Sequence, residues 1–272
     1  HRIARRQRQM CIRDRSSDVE ATDVDHKEMV QYYVTDWDFV VSRADVSGKL
    51  VFVDDGSVSV KKPDLSQSPI LELTYGQNVY DFEAEMDARE QFAAVKSKSW
   101  DYAGQEMLEM EGADPGLAEQ GNISASDLAD VVGLEEFPLQ HSGQVIDQEL
   151  QAWADAKLMR SRLAKIRGRV KVQGHNEIKP GDVIDLKGFG DRFNGSAFVA
   201  GIRHELSKDE AWYTHIEFGL PQTWHANQYE DVIEKPASGL VPPIQGLHTG
   251  IVTQIHDDPD GEERIKVKIP VI

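Results

Sequence analysis

The sequence predicts a mainly β fold with α-helix, of the α+β class. Two segments, Leu71–Tyr75 and Phe92–Trp100, alternate apolar and polar residues as strands with one buried face do. Residues 143–166 carry an apolar stripe at helical spacing. The order of strand, helix and strands occurs twice along the chain, which favours two similar α+β modules over a single parallel sheet.

A short helix and a hairpin are predicted first. The helix begins at Thr35-Asp36-Trp37-Asp38, where Thr35 can cap free amides and two aspartates lie in the first turn. It ends near Ser47-Gly48. The hairpin pairs Lys49–Val53 with Ser57–Val60, because Asp-Gly between two β-branched runs favours a tight turn. The expected buried face of the helix consists of Trp37, Val40, Val41 and Ala44.

The helix predicted over residues 143–166 begins with acidic residues and ends with basic ones, as the helix dipole favours. Its apolar stripe consists of Ile146, Leu150, Ala154 and Leu158, widened by Trp153. Strands are predicted before it at Val79–Met86, and after it at Arg169–Gln173, Val183–Leu186, Ser196–Leu206 and Ala211–Phe218.

Residues 104–140 differ in composition from the rest of the chain. They contain nine acidic residues and no lysine or arginine, with glycines and prolines throughout. We interpret the segment as a linker or a long surface excursion, and favour a solvated loop. An acidic segment that binds a partner is the alternative.

The C-terminal part is predicted to be a connector followed by new strands. The connector runs from Pro221 to Pro243. Beyond it, Gly250–Thr253 and Arg264–Ile269 flank an acidic turn at Asp257–Gly261. One strand pair cannot close a barrel, so we expect a β domain that is truncated at Ile272.

Composition excludes several classes of protein. The chain has 272 residues and a formal net charge of -17, which argues against binding nucleic acid or an anionic membrane. No apolar run approaches the roughly 18 residues that span a bilayer. The single cysteine, Cys11, excludes an intrachain disulfide and an all-cysteine metal cluster.

The first 15 residues hold six arginines and one aspartate, so the remaining residues carry 24 basic and 46 acidic groups. The segment has neither the apolar core nor the cleavage site of a secretory signal. It resembles a translated sequencing adapter, and we expect residues 1–15 to be artefactual rather than part of the fold. A genuine basic arm is the alternative.

We find no catalytic, cofactor-binding or metal-binding residues. The sequence has no Gly-x-Ser-x-Gly elbow, no His-Glu-x-x-His helix and no phosphate loop. Gly188–Phe193 resembles a dinucleotide fingerprint superficially, but its third glycine is replaced by Phe193 and no helix is predicted after it. The Asp257–Glu263 run lacks the ligand alternation of a calcium loop.

Two weaker signals remain. A hairpin that brings His204-Glu205 and His215 face to face to hold a metal is one interpretation, and histidines at a sheet rim are the favoured one. Trp224 lies in the connector and is a candidate anchor for a partner protein. Core packing is expected for Trp37, Trp100, Trp153 and Trp212.

Three stretches, taken in order and spacing, resemble the VgrG family, the spike proteins of type VI secretion and related contractile injection systems. The first runs from Thr35 to Gly48 and includes Thr35-Asp36-Trp37-Asp38-Phe39. The second runs from Ile178-Lys179-Pro180-Gly181-Asp182 to Trp212-Tyr213-Thr214. The third runs from Gly246-Leu247-His248-Thr249 to Val267. Together they cover about residues 30–272.

The resemblance implies two phage-hub-like β-barrel domains followed by the start of an OB-fold, assembled as a homotrimer. The implied domains are a partial first barrel at 16–103, an acidic linker or excursion at 104–142, a second barrel at 143–220 with helix 143–166, a connector at 221–245 and a truncated OB-fold at 246–272. The N-terminal part of the first barrel and the needle of the family are missing, so piercing and tip-metal functions do not carry over.

The resemblance also implies a function without catalysis. The chain would be a structural hub that caps the tail tube and carries a needle or effectors. Its partners would be an Hcp-like tube protein, baseplate proteins and effectors, with no nucleic acid, no stable membrane insertion and no cofactor. It would lie in the bacterial cytoplasm during assembly, and then be secreted with the spike or held in a virion tail.

Two alternatives stay open. A phage baseplate hub or late-control protein belongs to the same structural class. A hub-borne cell-wall hydrolase is less favoured, because no separate helical domain with catalytic carboxylates is predicted. Oligonucleotide binding by the OB-fold is disfavoured by the acidic charge and the lack of stacking aromatic residues.

Overall fold

The computed structural model describes residues 16–22, 24, 26, 29–31, 34–118, 120–133, 135–141, 143–208, 211–229, 232 and 250–269. The helices are α1 (Asp36–Val46), α2 (Ala125–Val132), α3 (Asp147–Leu163) and α4 (His225–Gln228). The strands are β1 (Ser16–Val19), β2 (Leu50–Asp54), β3 (Ser57–Lys61), β4 (Leu71–Thr74), β5 (Val79–Met86), β6 (Ala94–Asp101), β7 (Glu106–Glu111), β8 (Glu136–His141), β9 (Ile166–Gln173), β10 (Val183–Lys187), β11 (Gly195–Glu205), β12 (Tyr213–Phe218), β13 (Ile251–Gln254) and β14 (Lys266–Lys268).

The predicted mainly β class with a few helices is confirmed. Three expectations lie largely or wholly outside the described residues: the assignment of residues 1–15, the connector after Tyr229 apart from Val232, and the Gly246–Thr249 part of the third resemblance. None of the helices in the described part of the chain is long and apolar enough to cross a membrane.

The largest sheet has six strands in the order β4-β10-β11-β12-β9-β5. Its two edge strands, β4 and β5, are consecutive in the chain and are joined by residues 75–78 alone. A sheet whose opposite edges meet at one short turn must curl, and this sheet forms a half-barrel. Asn78 holds the turn, since its side chain accepts from the Thr74 amide and donates to the Glu72 carbonyl, both at 2.8 Å.

The core of the half-barrel is formed by inward residues from all six strands. Leu73, Ile184, Leu186, Val170 and Ile216 are each no more than 1% exposed. Phe82 on β5 contacts the rings of Phe189, Phe193 and Phe218, which extends the core towards the gap between the two edge strands. This core takes strands from both ranges that were expected to form separate barrels, 16–103 and 143–220.

A second sheet, in the order β7-β6-β8, packs against α3. Two buried serines on β6 face the N-terminal part of the helix and satisfy its backbone. The Ser97 hydroxyl donates to the Leu150 carbonyl at 2.8 Å, and the Ser99 hydroxyl accepts from the Val145 amide at 3.1 Å. Small side chains here let the helix approach the sheet closely, with Val95 and Leu158 filling the interface.

The solvated loop favoured for residues 104–140 is wrong. This stretch contains β7, α2 and β8, and both strands pair with β6. Ser124 and Asp127 form a capping box at the start of α2, and Gly133 ends that helix at a φ of 76°. The absence of lysine and arginine reflects strands whose glutamates face the lysines of β6, including Lys98 and Glu109 at 2.9 Å.

Both predicted helices are confirmed, but their buried faces differ from the prediction. On α1, Trp37 and Val40 are exposed, whereas Ser42 and Asp45 are buried with Ala44. On α3, the residues Leu150, Ala154 and Leu158 are buried as expected, but Ile146 is the residue before the helix and is 46% exposed. An ion pair with Arg160 accounts for the buried Asp45, as the next subsection describes.

Core packing is also wrong for three of the four tryptophans. Trp37, Trp100 and Trp212 are 51%, 37% and 37% exposed. Trp37 lies in α1, Trp100 lies in β6 and Trp212 directly precedes β12, each on a face that the described residues leave open to solvent. Trp153 alone is half-buried.

Two smaller sheets complete the described structure. The predicted hairpin of β2 and β3 is confirmed, and β1 adds to β3 in parallel. The predicted C-terminal pair is confirmed as β13 and β14, whose residues are all exposed.

Candidate assembly surface

The half-barrel, α1 and α3 meet at a buried ion pair. Arg160 of α3 donates a hydrogen bond to the Asp45 carboxylate of α1, and the two side chains are only 9% and 6% exposed. Burial raises the pKa of the Asp45 carboxyl, and the adjacent Arg160 charge opposes that rise. The second terminal nitrogen of the guanidinium is also used, since Arg160 Nη1 donates to the Pro221 and Thr223 carbonyls at 3.2 Å.

The same cluster fixes the segment that leads out of the half-barrel. The second Asp45 oxygen accepts from the His225 amide at 2.7 Å, and the His225 ring lies 3.0 Å from the Asp38 carboxylate. Hydrogen bonds from Thr35, and then from His225, lower the pKa of Asp38. The Trp224 ring lies 5.8 Å from the Arg160 guanidinium, so the candidate partner anchor packs within its own chain.

A second polar link joins α1 to α3 and to the N-terminal segment. The buried Glu149 carboxylate accepts from Arg43 at 3.3 Å, and Arg43 also lies 2.8 Å from the His26 ring. Lys49 is only 4% exposed and donates to the carbonyls of Glu20 and Ala21, both at 2.6 Å. Together with the Arg160 and Asp45 pair, these links hold α1, α3 and the segment at residues 221–229 as one unit.

The outer face of the half-barrel carries a ladder of opposite charges. Strand register places Glu83 opposite Arg169 and Glu85 opposite Arg167, and the pairs lie at 3.1 Å and 2.6 Å. Cross-strand pairs of this kind each contribute about 0.2–1 kcal/mol. The exterior of the barrel is therefore charge-balanced where β5 pairs with β9.

The free surface of β6 and β7 has a different character. Trp100 and Met107 are directly opposite each other and are 37% and 56% exposed, and Tyr102 nearby is 47% exposed. Beyond Met110, a cavity of about 580 Å³ opens between α3 and residues 113–117. We refer to the outward pair Trp100 and Met107 as the hairpin patch.

The histidines considered as a metal site do not come together. In the strand register, His204 is opposite Thr214 and His215 is opposite Arg203, so the two rings project from opposite faces of the sheet. The His204 ring lies 3.0 Å from the Thr214 hydroxyl, and the His215 ring lies 2.7 Å from the Glu205 carboxylate. That contact, followed by Lys171, lowers the pKa of Glu205.

The acidic turn between β13 and β14 is closed on an arginine. Arg264 contacts the carboxylates of Asp258 at 2.8 Å and Glu262 at 2.9 Å, and also contacts Asp260. These bonds hold the pKa of Asp258 well below its usual range. The Arg264 guanidinium therefore binds the carboxylates that a calcium ion in this turn would need as ligands. Within the described residues, no group of three or more histidine, cysteine or carboxylate side chains could hold a metal.

The Gly188–Phe193 motif forms a turn rather than a phosphate site. Gly188 and Gly190 have φ angles of 77° and 87°, and the Phe189 amide donates to the Asn194 side chain at 2.9 Å. The rings of Phe189 and Phe193 pack on Phe82 of the core. The glycines thus permit the turn that aims two aromatic rings inward.

Family comparison places most of the chain in one family. Residues 10–208 match the family model described as the Alg8 N-terminal domain. The chain belongs to the Alg8 N-terminal domain family. No curated protein sequence matches the chain.

A solved structure of a tail protein shares the fold. A tail protein from Neisseria meningitidis matches with a TM-score of 0.53 at 18% identity, over 78% of this chain and 63% of that one. A 43 kDa tail protein of prophage MuSo2 from Shewanella oneidensis matches at 0.49 and 14% identity, over 76% and 60% of the two chains. The chain therefore has a tail-protein-like fold and spans less than two thirds of these proteins.

A third match is an E. coli component of the type VI secretion system. That protein is described as similar in structure to tail proteins of bacteriophage T4. The TM-score is 0.47 at 12% identity, over 94% of this chain and 56% of that one.

Proposed function

We propose that this chain is the hub portion of a spike in a contractile injection machine of the type VI secretion kind. The observation that carries the proposal is the fold that the chain shares with the tail protein from Neisseria meningitidis. The three sequence stretches that resemble VgrG support the same assignment. In this role the chain acts without catalysis, caps the tail tube and carries the needle or effectors.

The domain arrangement belongs to this proposal. Residues 16–103 and 143–220 would together build the hub barrels, since they share strands in the six-stranded sheet, with residues 104–142 between them in the chain and the strands after residue 246 opening an OB-fold. Fixing the exit segment 221–229 through Asp45 and Arg160 is what such a hub requires, because the next domain must leave from a defined point.

Partners and location follow from the same role. Three copies would form a ring that meets an Hcp-like tube protein and the baseplate proteins. The protein would assemble in the bacterial cytoplasm and leave the cell with the spike. The net charge of -17 is compatible with a protein that binds other proteins rather than nucleic acid.

The oligomeric state of the full-length gene product tests the proposal. We expect a trimer by size-exclusion chromatography with light scattering, and we expect the trimer mass to persist on dilution. A stable monomer at all concentrations would count against a hub, because a hub must match the symmetry of the tube that it caps.

A phage baseplate hub is the second candidate, and the tail-protein-like fold supports it equally. Gene neighbourhood separates the two. Sheath, tube and effector genes without capsid genes indicate an injection system, whereas adjacent capsid genes indicate a virion tail.

A further inference from the structure

A buried ammonium group between α1 and the N-terminal segment has no counter-charge. Lys49 is 4% exposed, and its Nζ atom donates to the Glu20 and Ala21 carbonyls, both at 2.6 Å. An ammonium has three donors, and the third has no partner in the part of the chain that the structure describes. No carboxylate of the described residues forms an ion pair with it. Because burying an unpaired charge costs free energy, an anion placed beside Lys49 would be stabilised.

The buried cations of α3 differ from Lys49 in this respect. Arg160 pairs with the Asp45 carboxylate, and Lys157 lies 3.8 Å from the Glu90 carboxylate. Both are nearly as well buried as Lys49. Buried cations elsewhere in this chain therefore have their anions within the chain, whereas Lys49 has two neutral carbonyls.

The Lys49 ammonium lies at the wall of a cavity of about 500 Å³. The cavity is enclosed by the N-terminal segment, α1, the end of β3 and the start of α3. Lys49 and both of its carbonyl partners, Glu20 and Ala21, line it, so the ammonium is within reach of a molecule held there. Small-molecule sites in proteins have volumes of roughly 300–1,000 Å³, and this cavity falls in that range.

Most of the remaining wall is apolar. It includes the side chains of Val19, Met29, Phe39, Val40, Val46 and Val60. Three of these are well exposed, with Val19 at 64%, Met29 at 40% and Val40 at 41%. An alkyl chain in the cavity would remove them from water, which favours binding in proportion to the apolar area covered.

Charge selects the head group of the ligand. The described lining has three permanent cations, Arg43, Lys49 and Lys62, and two carboxylates, Glu20 and Glu149. Both carboxylates are already engaged, since Glu149 accepts from Arg43 at 3.3 Å and Glu20 accepts from the Lys62 amide at 2.9 Å. The cavity therefore favours an anion and offers no free carboxylate to an amine.

The neighbouring cavity of about 580 Å³ has the opposite character. It shares Lys62 with the first cavity, but three aspartates, Asp114, Asp147 and Asp155, line it. An anionic ligand would be repelled there. The comparison assigns the anion to the cavity that contains Lys49.

We propose that the cavity between the N-terminal segment, α1 and α3 binds an unbranched aliphatic carboxylate of medium length, of the fatty-acid class. The carboxylate pairs with the buried Lys49 ammonium, and the alkyl chain covers Met29, Val40 and Val60. This inference goes beyond the proposed hub function and does not depend on it.

The test is isothermal titration calorimetry of the full chain with sodium decanoate. We expect one saturable site with a Kd on the order of 10–100 μM. Octanoate should bind about tenfold more weakly, because two buried methylene groups are lost. 1-Decanol keeps the chain without the charge and should bind at least about tenfold more weakly than decanoate, and decylamine should show no saturable binding.

Variants locate the binding within the chain. Lys49→Met should abolish the preference for decanoate over 1-decanol, because the counter-charge is gone. Val40→Glu leaves Lys49 in place and should weaken decanoate binding at least about tenfold, since it sets a like charge against the ligand. Val131→Glu, at an 84% exposed residue of α2, makes the same change in charge away from the cavity and should leave the affinity within about twofold.

Three results would each overturn the proposal. They are the absence of saturable decanoate binding, equal affinities of the parent chain for decanoate and 1-decanol, and equal weakening by Val40→Glu and Val131→Glu. Because the last comparison keeps Lys49, it holds even if Lys49→Met fails to fold, which circular dichroism of each variant would show.

Discussion

Replacing Arg160 by methionine is expected to lower the free energy of unfolding by about 3–5 kcal/mol, because it leaves the Asp45 carboxylate buried without its cation. The substitution also removes the hydrogen bonds to the Pro221 and Thr223 carbonyls, which fix the exit segment. Urea denaturation followed by far-UV circular dichroism measures the change.

The effect should depend on pH in a defined direction. Burial already raises the pKa of Asp45, and loss of Arg160 removes the charge that opposes this rise. A group whose folded-state pKa is raised favours folding below its unfolded pKa, and that contribution is lost as the pH increases through the folded-state pKa. The loss of unfolding free energy in Arg160→Met should therefore be largest at neutral pH and become smaller as the solution is acidified.

Arg169→Met is the matched control for Arg160→Met. Arg169 pairs with Glu83 at 3.1 Å, but both side chains are more than half exposed. Exposed ion pairs contribute about 0–1 kcal/mol, so this variant should unfold nearly as the parent does. Equal losses in the two variants, or a pH-independent loss at Arg160, would contradict the role assigned to the buried pair.

Replacing Gly168 by valine is expected to destabilise the half-barrel by at least about 3 kcal/mol, above the usual cost of an oversized residue because the obstacle includes main chain. Gly168 lies in β9 between Ala84 and Phe218. A Cβ atom there would lie 2.2 Å from the Glu83 carbonyl oxygen and 2.6 Å from the Phe218 ring. The main chain of β5 cannot yield without breaking the strand pairing that curls the sheet.

Gly201→Val provides the control for Gly168→Val. Gly201 lies in β11 of the same sheet, and its nearest neighbour is the flexible end of Glu217 at 3.3 Å. We expect a thermal unfolding midpoint close to that of the parent for this variant, and a clear fall for Gly168→Val. If Gly168→Val unfolds at the parental temperature, the close approach of β5 and β9 at Gly168 does not limit the stability of the half-barrel.

Local sequence patterns predict the positions of helices and strands well, but they predict poorly which faces of those elements are buried. The capping threonine and the following aspartates located α1, and the Asp-Gly turn located the β2–β3 hairpin. The predicted buried face of α1 is wrong because Asp45 is buried by its ion pair with Arg160, a residue 115 positions later in the chain. Periodicity within one helix carries no signal for a partner at that distance.

Residues 104–140 also show that local sequence patterns do not reveal which residues are brought together in three dimensions. Its composition suggested a loop, yet β7 alternates outward Met107, Glu109 and Glu111 with inward Leu108 and Met110. That alternation is a strand signal in the sequence, whereas the net charge and glycine content of the segment favour a loop. The exposure of Trp100 had no local signal, since only the three-dimensional sheet shows which face lacks a cover.

The position and copy number of the protein in assembled particles test the hub proposal most directly. Particles purified from the bacterium that carries the complete gene would be imaged by electron microscopy with a tag on this protein, and its copies counted against the tube protein by quantitative mass spectrometry. The account predicts three copies, all at one end of the tube. Label along the tube, a copy number that grows with tube length, or particles that lack the protein would contradict it.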